Sequence, residues 1–173
     1  PAPVLFDRGL VAPGVDAGYV DNGSAFGGKA FPGTVGQYNP GSQPFLKVNR
    51  HGERFMNESQ EYDNASHASF QQPGHVYAMI HDANFRSDVD RFHTIGCSAL
   101  TRYIPGMMEG QLEQYEGEGL IMKADTIEEL ADKMGFTGAD KDNFVATVAR
   151  YNELYDKQND EDFGLSLIHI SEP

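Results

Sequence analysis

Residues 45–66 read FLKVNRHGERFMNESQEYDNAS, and how this stretch folds decides the rest. FLKVN and ERFMN are short apolar-rich runs separated by RHG, so they are expected to form a β-hairpin, with Gly52 supplying the positive φ that a tight loop needs at its last position. On the returning strand, alternation sends Phe55 to the core and turns Arg54 and its neighbour Met56 elsewhere. Arg54, Phe55 and Asn57 are thereby assigned to structure, and Glu58 to a hydrogen bond on the turn that positions Tyr62. Tyr62 has two readings. It is either an amphipathic residue at a strand end with its hydroxyl in water, or a phenol of pKa about 10 held beside an electron-accepting group, where it can exchange a proton. Local sequence alone favours the first.

The whole chain, 173 residues, is long enough for one domain with a real core. Thirteen Lys and Arg against 26 Asp and Glu give a net charge of -13, which repels nucleic acid and anionic lipid. The basic residues Lys47, Arg50, Arg54, Arg86, Arg91 and Arg102 are scattered and lack the aromatic interleaving of a nucleic-acid surface, so no nucleic-acid partner is expected. No apolar run reaches the roughly eighteen residues of a membrane span. The single Cys97 excludes an internal disulfide and fits a reducing compartment without fixing one. The opening PAPVLFDRGL has no signal-peptide pattern and no initiating Met, so the chain reads as cut from something longer.

Residues 1–40 are rich in Gly and Pro and read as an irregular segment around short strands, leading into a domain over 41–164. HVYAMIHD alternates as a buried strand, and ANFRSDVDRF follows as a short helix with Phe85, Val89 and Phe92 on one face. A short acidic helix is expected after Glu109. A further helix is capped by Asp125 with Glu128 or Thr126 with Glu129, carries Ile127, Leu130, Ala131 and Met134 as its apolar stripe, and ends at Gly135. The last helix is expected from about Lys141 to Lys157, with Asp140 as cap and a stripe of Phe144, Val148, Tyr151 and Tyr155. LSLIHISEP has no cap, period or turn logic, so residues 165–173 read as a non-native tail.

Chemistry-bearing patterns are sparse. His67, His75 and His81 lack H-E-x-x-H spacing and a carboxylate third ligand, and His93 with Cys97 makes only two ligands, so no metal site is expected. No G-x-G-x-x-G and no G-K-[ST] occurs, so most of any dinucleotide site lies outside this chain. N-x-S tripeptides begin at Asn22, Asn57 and Asn64 and carry little information at this length.

Three separated segments, FLKVNRHGERFMNES, GLIMKADTIEELADKMG and FVATVARYNELYDKQNDEDFG, resemble the substrate-capping domain of the fumarate reductase/succinate dehydrogenase flavoprotein superfamily, over roughly residues 40–164. The resemblance implies an α+β cap, a small antiparallel sheet with helices, that closes a small-molecule substrate against FAD. It also implies an FAD-binding Rossmann-like domain of the same full-length protein, missing from this chain. Fumarate reductases of the family carry a proton-donating Arg four residues after the NE pair, and that position here is Tyr62. Positions matching the family's proton relay fall near Tyr38 and Gly41, and a substrate-clamping His has no counterpart among residues 1–50. Without that cationic acid, fumarate is not the expected substrate. NES followed closely by Tyr is similar to the 3-ketosteroid dehydrogenase branch, where a Tyr at this place exchanges the proton on carbon while flavin handles the hydride. The resemblance therefore implies Tyr62 as the catalytic residue, with Tyr38, Asp63 and His67 as substrate contacts or their supports. The competing reading is a stand-alone α+β binding module whose hairpin is purely architectural.

Overall fold

The computed structural model describes residues 4–9, 45–84, 110, 113–114, 116–117 and 121–165. Four strands, β1 (Val4–Gly9), β2 (Leu46–Val48), β3 (Val76–His81) and β4 (Ile121–Lys123), form one sheet in the order β2-β3-β1-β4. Every neighbouring pair is antiparallel. β1 pairs with β3 from Val4 opposite His81 to Gly9 opposite Val76, and with β4 from Val4 opposite Lys123 to Phe6 opposite Ile121. The Gly- and Pro-rich leading segment thus supplies an inner strand. β3 matches the strand read in HVYAMIHD; the helix expected in ANFRSDVDRF lies outside the described residues beyond Asn84.

Among the described residues, the helices α1 (Tyr62–Phe70), α2 (Ile127–Lys133) and α3 (Gly138–Lys157) complete the frame. Strand alternation turns Leu46, Val48, Ala78 and Ile80 to one face of the sheet. There they meet Leu130, Ala131, Met134, Phe136, Phe144 and Val148 in the main core. The rings of Phe136 and Phe144 stack at 5.1 Å. Large apolar side chains buried in this way contribute about 2 kcal/mol each. The opposite face carries Phe45, Lys47, Tyr77, Met79 and His81, all buried, with α1 packed against β3.

The α2 terminus forms as its sequence indicates. Thr126 Oγ1 accepts the Glu129 N–H at 3.1 Å, and the Glu129 carboxylate accepts the Asp125 N–H at 3.2 Å. This settles the choice between the two capping pairs in favour of Thr126 with Glu129. Gly135, at φ 81°, takes the left-handed position after the helix, and Phe136 N–H returns to the Ala131 carbonyl at 3.0 Å. α3 starts earlier than expected, at Gly138 with Thr137 in the cap position, so Asp140 lies inside its first turn. Its stripe also differs at the C-terminal end, where Leu154 is buried while Tyr155 is 38% exposed. The helix ends at Gln158 (φ 53°), and the chain folds back far enough for Asp162 to pair with Arg150 at 2.8 Å.

The hairpin is shorter than its sequence suggests. The RHG turn is there: Gly52 has φ 73°, its N–H reaches the Asn49 carbonyl at 3.0 Å, and Asn49 Oδ1 accepts the N–H groups of His51 and Glu53. A Cβ on Gly52 would stand 2.6 Å from the Asp140 carbonyl and from Phe144 N, so glycine also lets α3 approach the turn. ERFMN, however, is not a strand; among the described residues it makes one isolated β-bridge, between Arg54 and Val48. A strand would hold the Cα atoms of residues 54 and 58 about 13 Å apart. The Arg54 guanidinium instead grips Glu58 with contacts down to 2.6 Å, which favours a bend. The bend reverses the assignment of facing, since Met56 is buried while Phe55 is half-buried against the Tyr77 ring at 6.3 Å.

Candidate functional site

Tyr62 and Asp63 do not end a strand; they open α1. This helix has weak local reasons to exist. YDNASHASF contains Asp, Asn and Ser, which compete with helical hydrogen bonds, and Glu61 in the cap position makes no side-chain capping bond. Its ends are held from outside. At the C-terminal end, Asn49 Nδ2 donates to Gln72 Oε1 at 3.1 Å, and Gln72 Nε2 donates back to the Ala68 carbonyl at 3.0 Å. At the N-terminal end, Asn57 Oδ1 accepts from the N–H and hydroxyl of Ser59, and Glu58 is gripped by Arg54. Both anchors start from the turn that follows β2.

Arg54 is the hub of that turn. Nε donates to Glu58 Oε1 at 2.9 Å and Nη2 to Oε2 at 2.6 Å. Nη1 and Nη2 reach the two Asp160 oxygens at 3.1 and 2.8 Å. Its guanidinium also lies 5.0 Å from the centre of the Tyr151 ring and 4.8 Å from that of Phe163, both within range of cation–π attraction. All three charged side chains are nearly closed to solvent. Burial opposes the Arg54 charge, but the hydrogen bonds to Glu58 and Asp160 outweigh it and hold its pKa above the ordinary value. Burial raises the Glu58 carboxyl against the pull of Arg54. Glu58 also accepts the Lys47 N–H of β2 at 3.4 Å, and a backbone hydrogen bond at Glu58 itself, in the turn before Tyr62, pulls its carboxyl down. The Tyr151 phenol, buried and close to Glu58, is pushed well above its usual range and stays protonated.

Asp160 adds a pH dependence. Burial alone would raise its carboxyl, but hydrogen bonds from Arg54 and from the N–H groups of Leu165 and Phe163 hold it at about 2. A lowered carboxylate contributes stability at pH above its ordinary value and loses that contribution as pH falls through the folded value. Between pH 4 and 2 the protein is therefore expected to lose about 2 kcal/mol more than an Asp160→Asn variant, read from urea midpoints at each pH. Parallel losses would remove Asp160 from the acid response. Glu58 acts in the opposite sense, because a raised carboxyl gains from protonation.

Of the residues singled out for chemistry, Tyr38 lies outside the described residues, and Tyr62 and Asp63 are placed by backbone as the first two residues of α1. His67 is exposed, with Asn64 and Gln71 exposed on the same side of the helix. At roughly 100° per residue, positions 62 and 67 stand about 140° apart around α1, whereas positions 63 and 67 are neighbours on one face. Position 62 shares its stripe with Ser69, which is buried and donates its hydroxyl to the Ala65 carbonyl at 2.8 Å. Leu165, placed in the tail by its sequence, is buried and gives its N–H to Asp160 at 2.8 Å; residues 166–173 lie outside the described residues. Among the described residues no cluster of His, Cys, Asp and Glu could hold a metal ion, and no helix is long and apolar enough to cross a membrane.

No family profile matches the sequence. An NADH:acrylate oxidoreductase of Vibrio harveyi is 33% identical over 126 residues, which cover 73% of this chain and 11% of that protein. A 3-oxosteroid 1-dehydrogenase of Mycolicibacterium smegmatis is 36% identical over 137 residues, covering 72% and 21%. Among solved structures, the open conformation of a flavocytochrome c3 fumarate reductase superposes with a TM-score of 0.53 at 24% identity, over 78% of this chain and 20% of its own. The chain is similar over about 70% of its length to part of several fumarate reductase-like oxidoreductases. It spans 11% and 21% of the length of the two curated family relatives described. With the solved fumarate reductase it shares a fold, and the small antiparallel sheet with helices fits that architecture.

Proposed function

We propose that this chain is the substrate-capping domain of an FAD-dependent oxidoreductase that forms or reduces a carbon–carbon double bond next to a carbonyl, with Tyr62 exchanging the proton on carbon. The observation that carries this reading is kinship with relatives named for acrylate and for 3-oxosteroids, both of which place the reacting carbons beside a carbonyl group. The cap takes in β1 as well as residues 41–164, because β1 lies inside the sheet. FAD, when bound, supplies the hydride half of the reaction. The described residues do not fit it: every sheet pairing is antiparallel, and α3, the helix that opens on glycine at Gly138, follows the end of α2 and not a parallel strand. We assign the flavin site to another domain of the full-length protein.

What this chain contributes is the placement of a phenol. A phenol can give a proton to carbon as negative charge builds there, where a carboxylic acid would already have lost its own at neutral pH, and the phenolate can take one in the reverse direction. The test uses full-length protein in deuterium oxide with a reduced dye as electron source and acrylate or a 3-oxosteroid enone as substrate. With acrylate the expected product carries one deuterium on each former double-bond carbon, because a dye that gives only electrons leaves the solvent as the source of both the hydride and the proton. A full-length protein that binds no flavin, or that turns over neither substrate, would leave the stand-alone module as the better reading.

A further inference from the structure

We propose that the Arg54–Asp160 clasp is a positioning device for Tyr62 and that Asp160 is a further positioning residue of the reaction; this rests on the role of Tyr62 proposed above. The first turn of α1 has no side-chain cap, and Ala65 N–H bonds the Glu61 carbonyl at 3.0 Å. Its location is set by residues 57–60, a turn closed by Gln60 N–H on the Asn57 carbonyl at 3.4 Å. That turn is tied down twice from the loop after α3. Asn57 Nδ2 donates to the Phe163 carbonyl at 3.2 Å, and Arg54, which grips Glu58, is itself gripped by Asp160. Asp160 also shapes that loop, accepting the N–H groups of Asp162 at 3.1 Å, Phe163 at 3.2 Å and Leu165 at 2.8 Å. One carboxylate therefore organises both the loop and its grip on the turn that ends at Tyr62. Loosening it lets the first turn of α1 drift while the core of β2, β3, α2 and α3 stays closed. A misplacement of about 1 Å at a reacting group can cost up to a hundredfold in rate.

The test uses the full-length flavoprotein with acrylate or a 3-oxosteroid, whichever it turns over. Asp160→Asn should lower kcat about ten- to a hundredfold with KM within about twofold and flavin content unchanged. Amide hydrogen exchange in the first turn of α1 should quicken by at least about tenfold, while β3 amides keep their protection. Combined with Tyr62→Phe, Asp160→Asn should slow turnover no further than Tyr62→Phe alone. If Asp160→Asn does not fold, Arg54→Lys, which keeps the charge but loses the fork, carries the same expectations. Unchanged exchange in α1 overturns the clasp whatever the activity. A double variant slower than Tyr62→Phe by the full Asp160→Asn factor breaks the link to Tyr62. Undiminished turnover in Tyr62→Phe overturns the underlying role of that residue, and the proposal with it.

Discussion

Arg54→Ala is expected to destabilise the domain by about 3–5 kcal/mol, seen as a lowered urea midpoint by circular dichroism. The size follows from what the truncation leaves behind. Glu58 and Asp160 have side chains at 0% and 1% exposure, and both would lose their shared cation without gaining water. The faces of Tyr151 and Phe163 would lose their guanidinium at the same time. Arg54→Lys should recover only part of the loss, because an ammonium cannot reach both carboxylates as a planar fork does. A cost for Arg54→Ala below about 1 kcal/mol would mean that the cluster behaves like a solvated surface pair.

Tyr62→Phe in the full-length protein is expected to lower turnover at least about a hundredfold while flavin content and thermal midpoint stay unchanged. The substitution deletes one oxygen and retains the ring. If the hydroxyl moves the proton on carbon, its loss should appear in kcat and kcat/KM together, because the missing interaction belongs to the transition state. A rise in KM with kcat preserved would make Tyr62 a substrate contact and no more. Tyr151 provides the control. Its phenol is buried against Glu58 and held protonated well above neutral pH, so Tyr151→Phe should leave the pH dependence of turnover unchanged.

The sequence made legible those parts whose signals are local. The Gly52 turn, β3, the Thr126–Glu129 cap and the Gly135 stop each rest on residues within one turn or one strand of each other, and each forms as read. α1 was not legible, because its residues carry no apolar stripe and no cap; anchors outside the helix, at Asn49 and Arg54, hold it in place. The hairpin was overextended for a related reason. Alternation in ERFMN suits a strand, but Arg54 answers to Asp160, 106 residues away, and no local pattern announces that partner. The exchange of Phe55 for Met56 as the buried residue follows from the resulting bend. At the candidate site, Tyr62 was singled out by the family resemblance alone, while the buried pair in the same motif, Arg54 with Glu58, read only as framework and became informative once Asp160 stood beside it.

The inner position of β1 has a consequence for how the domain is assembled. β1 is made before either of its neighbours, and β3 and β4 touch it on opposite sides. Both edges of β1 stay unpaired until β3 is synthesised and one stays unpaired until β4 follows, so the sheet cannot close by adding hairpins in order along the chain. Folding must therefore wait on distant pairings, and a nascent chain arrested between β1 and β4 would keep an open, adhesive edge.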